Sequence, residues 1–489
     1  MGSKLLIPII VIAAFLRLFW LAKSPPSLNW DEAALGYNAY SIWLTGRDEY
    51  GTRLPLSFRS FDDYKPLLYV YLTAPIVGIF GLTEFNTRLV SALCGILSVG
   101  LIYLVAGKLS KNKNIGLVAA ILLAIEPWAI YYSRGAWEAN LSLTIFLIAV
   151  WLFIEKKYGW AVIVAFINTF AYHSAKVYLL LTMGGSAIIS PPKWKTIIGY
   201  GVISGLFVLS LWQGSGLARF GSTSIFKTSL ESQSPYLFIS GVGQRYLAYF
   251  NPTNLFVRGT NEPNQRIDGF GTFYAFEIIF WLIGWAVIIK KRSEYKLLWG
   301  WLILAPIPAI LTWSWFNPVR VLPLLAAHTV LIALGAYETW KKLGWVNILV
   351  FGWATVNLCW YFLALLYYLP YKNYGDWQWG FRETAAAISP LLAKYDHVVW
   401  ETGQAQPYIF TLFYLKYPPQ KYQLEADRTS PRKNFNFGKF EFRPIYWPTD
   451  KTAKNTIFVG SVYSLPEELA LKRIYDPQGY EMARIVVGD

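Results

Sequence analysis

Apolar residues in this chain come in runs near 20 long, divided by short polar connections, and the pattern repeats as far as residue 370. A helix of about 20 residues crosses a hydrocarbon core of about 30 Å, and the backbone there must satisfy its own hydrogen bonds. The runs predict eleven spans, near 5–22, 88–107, 115–132, 140–154, 159–172, 177–190, 196–213, 272–290, 295–313, 319–337 and 345–369. Segment 67–81 is apolar but short and holds Pro75, so it reads as re-entrant or interfacial. After Tyr371 the pattern changes. Phe381 to Tyr395 has helical spacing, and His397 to Glu401 and Thr456 to Gly460 read as short strands between turn signals. The expected fold class is an α-helical polytopic membrane protein over 1–370, followed by a small extracytoplasmic α/β domain over 371–489.

Composition agrees. The chain is 55% hydrophobic and only 15% charged, with a mean hydropathy of +0.35. Its 23 Trp and 33 Tyr suit a membrane interface, where a ring is buried and its polar edge stays wet. The net charge of +15 lies mostly in short connections, such as 108–113, 155–157, 191–195, 290–296 and 341–342. These alternate with less basic ones, so the charge reads as a topology signal and not as a nucleic-acid surface. The N-terminus and basic connections are then cytoplasmic. Segments 23–87, 133–139, 173–176, 214–271, 314–318 and 370–489 are outside. Lys4 precedes the first run, and no Ala-x-Ala site follows it, so a retained signal anchor is expected. Cys94 and Cys359 both lie in apolar runs and imply no disulfide framework.

The chemistry concentrates in 23–87. Ser27 or Asn29 can cap a helix whose first turn holds Asp31 and Glu32, where carboxylates suit the helix dipole. Along it Ala33, Tyr37, Tyr40 and Leu44 form one apolar face for lying on the membrane, with Asp31 and Asn38 on the opposite side. The two carboxylates can serve a reaction or merely cap the helix. Asp62-Asp63-Tyr64-Lys65-Pro66 follows. Lys65 can hold a lipid-linked phosphate as a point charge, or snorkel and pair with Asp62 or Asp63, which are themselves candidates for contacting the acceptor or a metal.

An Asp-Glu pair just after the first span, then Tyr-Lys-Pro-Leu-Leu-Tyr opening an apolar segment, resembles the C-type membrane glycosyltransferases. The similar branch contains protein O-mannosyltransferases and the lipid A aminoarabinose transferase. The likeness covers roughly residues 1–370 and is specific at those two motifs. It implies inverting transfer of a hexose or pentose from a polyprenyl-phosphate donor in a cavity facing outward. Asp31 matches the general base, and Lys65 a lysine near the donor phosphate. Glu138 matches a second acidic position, a metal ligand or acceptor contact. Arg320 lies where a basic residue recurs, although this chain has Asn317-Pro318 where some relatives have Pro-His. The resemblance leaves a divalent cation open.

Read from the residues themselves, inversion needs a carboxylate to take the acceptor's proton and a cation to stabilise the leaving phosphate. No Asp-x-Asp motif is present, which favours a lipid-borne donor over a nucleotide sugar. Arg134 and Glu138 flank one short outer turn, where they can face a cavity, with Arg134 a candidate contact for the donor phosphate, or pair with each other at i, i+4. His173 lies in the next such turn, as a structural residue or a metal ligand. The long loop 214–271, with Arg219, Lys227 and Glu231 in it, reads as a mobile cover or a partly disordered loop, and Arg258 and Arg266 are its candidate phosphate contacts. The expected partners are the donor, the bilayer, and a protein, lipid or cell-envelope glycan acceptor. A transporter or flippase of lipid-linked sugars is the alternative, and a scaffold protein a third reading. No internal symmetry of the transporter kind is visible.

Overall fold

A computed structural model describes residues 2–61, 63–189, 194–212, 234–403, 406–429 and 432–488. Asp62, Arg219, Lys227, Glu231 and most of the basic connection 191–195 fall outside them. In chain order the elements are α1 (Gly2–Leu18), α2 (Trp30–Thr45), strands β1 (Ser57–Ser60) and β2 (Asp63–Pro66), α3 (Leu67–Phe80), α4 (Glu84–Leu109), α5 (Lys113–Ile125) and α6 (Pro127–Arg134). Next come α7 (Glu138–Ile154), α8 (Tyr158–Asn168), α9 (Ala175–Ile189), α10 (Trp194–Trp212), α11 (Pro235–Ala248), α12 (Glu277–Lys290), α13 (Lys296–Leu304), α14 (Leu322–Leu343) and α15 (Val346–Leu363). The remainder holds α16 (Phe381–Ile388), β3 (His397–Trp400), α17 (Pro407–Tyr414), α18 (Pro419–Glu425), β4 (Phe440–Phe442), β5 (Thr456–Ser461), β6 (Ala470–Tyr475) and β7 (Glu481–Val487).

Helix occupies most of every expected span. Among the described residues three helices are long and apolar enough to cross a membrane: Glu84–Leu109, Pro318–Lys342 and Asn347–Lys372. The pair α5 and α6 qualifies together but is bent by 54°. Helix α3 has 14 residues, about 21 Å at 1.5 Å per residue, too short for a straight crossing.

The chain forms two compact units. The first comprises Met1–Phe19, Tyr64–Pro66 and Val90–Ala364. Its helix α14 is buried along most of its length, whereas Asn347–Lys372 is mostly exposed, which makes α14 the core helix. Glycines set the closest approach. A Cβ on Gly335 would lie 1.9 Å from Phe280 O, and one on Gly284 would lie 2.1 Å from Leu331 O, so α12 and α14 touch backbone to backbone. The bend between α5 and α6 falls at Pro127, which lacks an N–H and breaks the helical ladder. The carbonyls freed there are taken by distant donors. Arg17 donates to Leu123 O at 2.8 Å and Ala124 O at 2.9 Å, and Tyr274 Oη to Ile125 O at 2.9 Å.

The second unit comprises Trp20–Asp63, Leu67–Leu89 and Leu365–Asp489. Its sheet has the order β4-β3-β5-β7-β6. β3 runs parallel to both β4 and β5, with Val398 opposite Phe440 and Ile457, and β7 is antiparallel to β5 and β6. Val399, Phe458, Leu465 and Val486 fill one face. Helix α2 belongs to this unit, and here one expectation is corrected. Of the face expected to lie on the membrane, Ala33 and Tyr37 are fully buried by protein, whereas Tyr40 is only half-buried and Leu44 is exposed. Tyr37 Oη donates to Tyr417 O at 2.9 Å, and Gly36 admits the Phe413 ring, 2.6 Å from where a Cβ would stand. Asn38 is also buried, its Oδ1 accepting from Glu49 N at 3.0 Å.

Candidate functional site

The capping reading of α2 belongs to Asn29 and Glu32. Asn29 Oδ1 accepts from Glu32 N at 2.9 Å, and Asn29 N donates to Glu32 Oε2 at 3.1 Å, a reciprocal capping box. Glu32 is 2% exposed and meets Arg88 through both carboxylate oxygens. Its carboxylate is therefore a structural anchor, committed to the cap and the ion pair. Asp31, one residue earlier in the same turn, is half-buried. Arg88 was not singled out in the sequence. The signal for it was an arginine in the second turn of an apolar helix, a costly position without a partner.

A second ionic cluster stands at the start of α4. Arg382 donates to Glu84 Oε2 at 3.1 Å and to Glu383 at 2.9 Å, while Tyr414 Oη donates to Glu84 Oε1 at 2.7 Å. A third lies in the connection after α2. Glu49 is fully buried, and among the described residues neither of its carboxylate oxygens has a hydrogen-bond partner. Burial pushes its pKa up to about 8, against the opposing pull of the Arg432 guanidinium. Arg432 stands over the Tyr408 ring at 4.5 Å and the Phe435 ring at 4.6 Å, and donates to Tyr422 Oη at 2.7 Å.

The other candidates distribute as follows. Asp31, Glu32 and Asp63 are in the second unit; Lys65, Arg134, Glu138, His173, Arg258, Arg266 and Arg320 are in the first. In the first unit His173 Nε2 donates to Tyr64 O at 3.0 Å, which ties the turn before α9 to the Lys65-Pro66 motif. Lys65 is 7% exposed, a poor fit to a snorkelling lysine. Arg134 is fully buried and donates to Leu16 O and Phe19 O, each at 2.9 Å, so it closes the end of α1. Beyond it Gly135 leaves room for the Trp137 ring, whose Nε1 would be 2.5 Å from a Cβ there. Glu138 opens α7 half-buried, and Arg320 is half-buried, 5.9 Å from the centre of the Trp313 ring.

In the long loop the residues from 234 onward are ordered by packing. Leu255, Phe256 and Ile267 are buried, Tyr131 Oη donates to Asn264 O at 2.9 Å, and Thr260 Oγ1 to Phe316 O at 3.2 Å. Arg266 donates to Asp268 at 3.0 Å and Thr260 O at 3.1 Å, whereas Arg258 is exposed. A cavity of about 30 Å³ between Tyr131, Tyr132, Arg266 and Tyr361 has room for water and not for a sugar. No group of three or more His, Cys, Asp or Glu suited to a metal ion occurs among the described residues.

This helical unit with a small sheet domain has the fold of the C-type membrane glycosyltransferases, as the Asp31-Glu32 and Lys65-Pro66 motifs suggested. ArnT from Cupriavidus metallidurans bound to undecaprenyl phosphate superposes with a TM-score of 0.55 and 13% identity, covering 99% of this chain and 97% of that one. ArnT in the apo state gives 0.53 and 14%, with the same coverage. Residues 64–212 match the profile of the dolichyl-phosphate-mannose-protein mannosyltransferase family. The Archaeoglobus fulgidus oligosaccharyltransferase in complex with Zn and sulfate is similar at a TM-score of 0.46 and 14% identity, over 84% of this chain, which spans 61% of that protein's length. No curated protein sequence matches the chain.

Proposed function

We infer that this chain is an inverting glycosyltransferase that moves one monosaccharide from a polyprenyl-phosphate donor to a protein, lipid or glycan acceptor on the outer face of the cell membrane. The observation that carries the reading is the mannosyltransferase-family match over 64–212, a stretch that contains Lys65, Arg134, Glu138 and His173. The similarity in fold to ArnT bound to undecaprenyl phosphate supports a lipid-borne donor.

Asp31 takes the acceptor's hydroxyl proton as the acceptor oxygen attacks the anomeric carbon. The bond from that carbon to the phosphate oxygen breaks on the opposite face, and its electron pair leaves with the polyprenyl phosphate. Lys65 and Arg320 neutralise the charge that builds on the departing phosphate, with Arg258 and Arg266 as further contacts. Glu32, held by Arg88, keeps the helix turn that carries Asp31 in place.

The test is release of free polyprenyl phosphate by purified protein supplied with polyprenyl-phosphate sugars and candidate acceptors. Turnover that disappears in Asp31→Asn while donor binding persists supports the reading. Full turnover in that variant moves the base to Glu138. Donor binding with no turnover for any acceptor favours a carrier of lipid-linked sugars, and no donor binding overturns both.

A further inference from the structure

We propose that a cleft at the carboxyl ends of β3 and β5 is a saccharide-binding site that takes one neutral pyranose ring of a glycan, whether or not the chain transfers a sugar. The cleft has a volume of about 230 Å³ and is lined by Trp379, Phe381, Trp400, Glu401, Ser461 and Tyr463, among others. That lies below the roughly 300–1,000 Å³ of sites for drug-sized ligands and suits a single ring. The carboxyl ends of neighbouring parallel strands are where open α/β sheets commonly bind ligands.

The polar group of the cleft is fixed. Glu401 is the first residue after β3, and its backbone N–H donates to Val459 O at 2.9 Å. Its Oε2 accepts from Ser461 N at 2.6 Å, and its Oε1 accepts from Ser464 Oγ. The end of β5 and the loop after it therefore grip a carboxylate that the loop after β3 supplies. An ionised carboxylate has about four lone-pair sites, so two bonds leave capacity for hydroxyl donors.

The apolar walls are equally fixed. Trp400 stacks on Phe381 at 6.0 Å, and Phe381 on Phe410 at 4.3 Å. Trp379 is held by its Nε1 donating to Tyr475 O at 3.3 Å, with the Arg382 guanidinium 5.2 Å from its ring centre. Tyr463 stands 97% exposed at the mouth. Aromatic rings beside a hydroxyl acceptor give the mixed apolar and polar lining that suits a pyranose, which presents C–H faces and a hydroxyl edge. No Lys or Arg lines the cleft among the described residues, and Glu401 repels anions, which argues against a phosphate ligand.

The experiment uses full-length protein in nanodiscs and saturation-transfer NMR with methyl α-mannoside, methyl β-glucoside and methyl β-galactoside. Choline and inorganic phosphate serve as contrasting probes. At least one pyranoside is expected to receive saturation at its ring C–H protons. Tyr463→Ala, Trp379→Ala and Glu401→Gln should each weaken it roughly fivefold to tenfold. Tyr463→Ala should leave the unfolding temperature unchanged, which separates lost binding from lost folding. Three silent pyranosides overturn the site, as does preference for choline or phosphate. Binding unchanged in both Tyr463→Ala and Glu401→Gln overturns it as well.

Discussion

Arg88 and Glu32 form a buried bidentate pair, with Nε to Oε1 at 2.9 Å and Nη2 to Oε2 at 3.0 Å. The same guanidinium donates to Leu21 O at 3.0 Å, Pro25 O at 2.9 Å and Ser27 O. One side chain of α4 thus holds both the segment before α2 and the first turn of α2. Removing one partner leaves a buried charge alone, at a cost of about 3–5 kcal/mol. Arg88→Ala and Glu32→Ala should therefore lower the unfolding temperature in detergent sharply. Arg88→Lys should recover little, because an ammonium cannot reproduce the two-pronged geometry.

Asp31→Asn should behave in the opposite way. Polyprenyl phosphate release should fall about 10²- to 10⁴-fold, the range of a lost general base, with the melting curve nearly unchanged. A large drop in melting temperature would make Asp31 a second cap residue instead.

Lys65→Met keeps the length of the side chain and removes its charge. A hydrogen bond to a charged group is worth about 1.5–3 kcal/mol, so binding of undecaprenyl phosphate should weaken at least about tenfold. Titration of the lipid into wild type and variant measures this directly.

Glu49 makes unit stability depend on pH. Its pKa rises from 4.5 to about 8 in the folded chain, so between those values the folded state holds a proton that the unfolded chain has released. Stability then falls as pH rises through that window, by at most about 1.4 kcal/mol per pH unit. Burial of Asp48 raises its pKa too and adds in the same direction at lower pH. Thermal unfolding from pH 5 to pH 8 should show the decline in wild type and a flatter course in Glu49→Gln.

Gly78→Ala tests the packing of α3 on α2. A Cβ there would stand 2.1 Å from the Trp43 ring, so the ring must move. Overpacking of this kind costs about 1–3 kcal/mol, and Trp43→Leu in the same chain should recover part of it.

Much of this was legible from local pattern, and what was missed is tertiary. The β-branched and aromatic runs at His397–Trp400 and Thr456–Ser461 announced two central strands, whereas Phe440–Phe442 is too short to carry a period of its own. Asn29, Asp31 and Glu32 marked the helix start, yet Arg88, 56 residues away, could not be paired with them by spacing. Periodicity grouped Ala33, Tyr37, Tyr40 and Leu44 as one apolar face and assigned it to lipid, whereas distant segments of protein cover Ala33 and Tyr37. At Glu126-Pro127 the span expected over 115–132 bends, and there Pro127 was a visible signal that a hydropathy count passes over. The described part of the long loop, from 234 onward, looked featureless because its order comes from contacts with Tyr131 and Phe316 and not from a local period.

The second unit joins early and late segments of the chain, Trp20–Asp63 and Leu67–Leu89 with Leu365–Asp489. Trp30 N donates to Gln378 Oε1 at 2.8 Å, and Gln423 Nε2 to Ser41 Oγ at 3.0 Å, across 348 and 382 residues. At a synthesis rate of about 5–20 residues per second, α2 leaves the ribosome on the order of tens of seconds before the partners that bury Tyr37 exist. Throughout that interval its aromatic face has only lipid, a chaperone or the translocation machinery to shelter it. A chain arrested before residue 407 would keep that exposed face for good, so quality control could recognise an incomplete copy by the first segment it made.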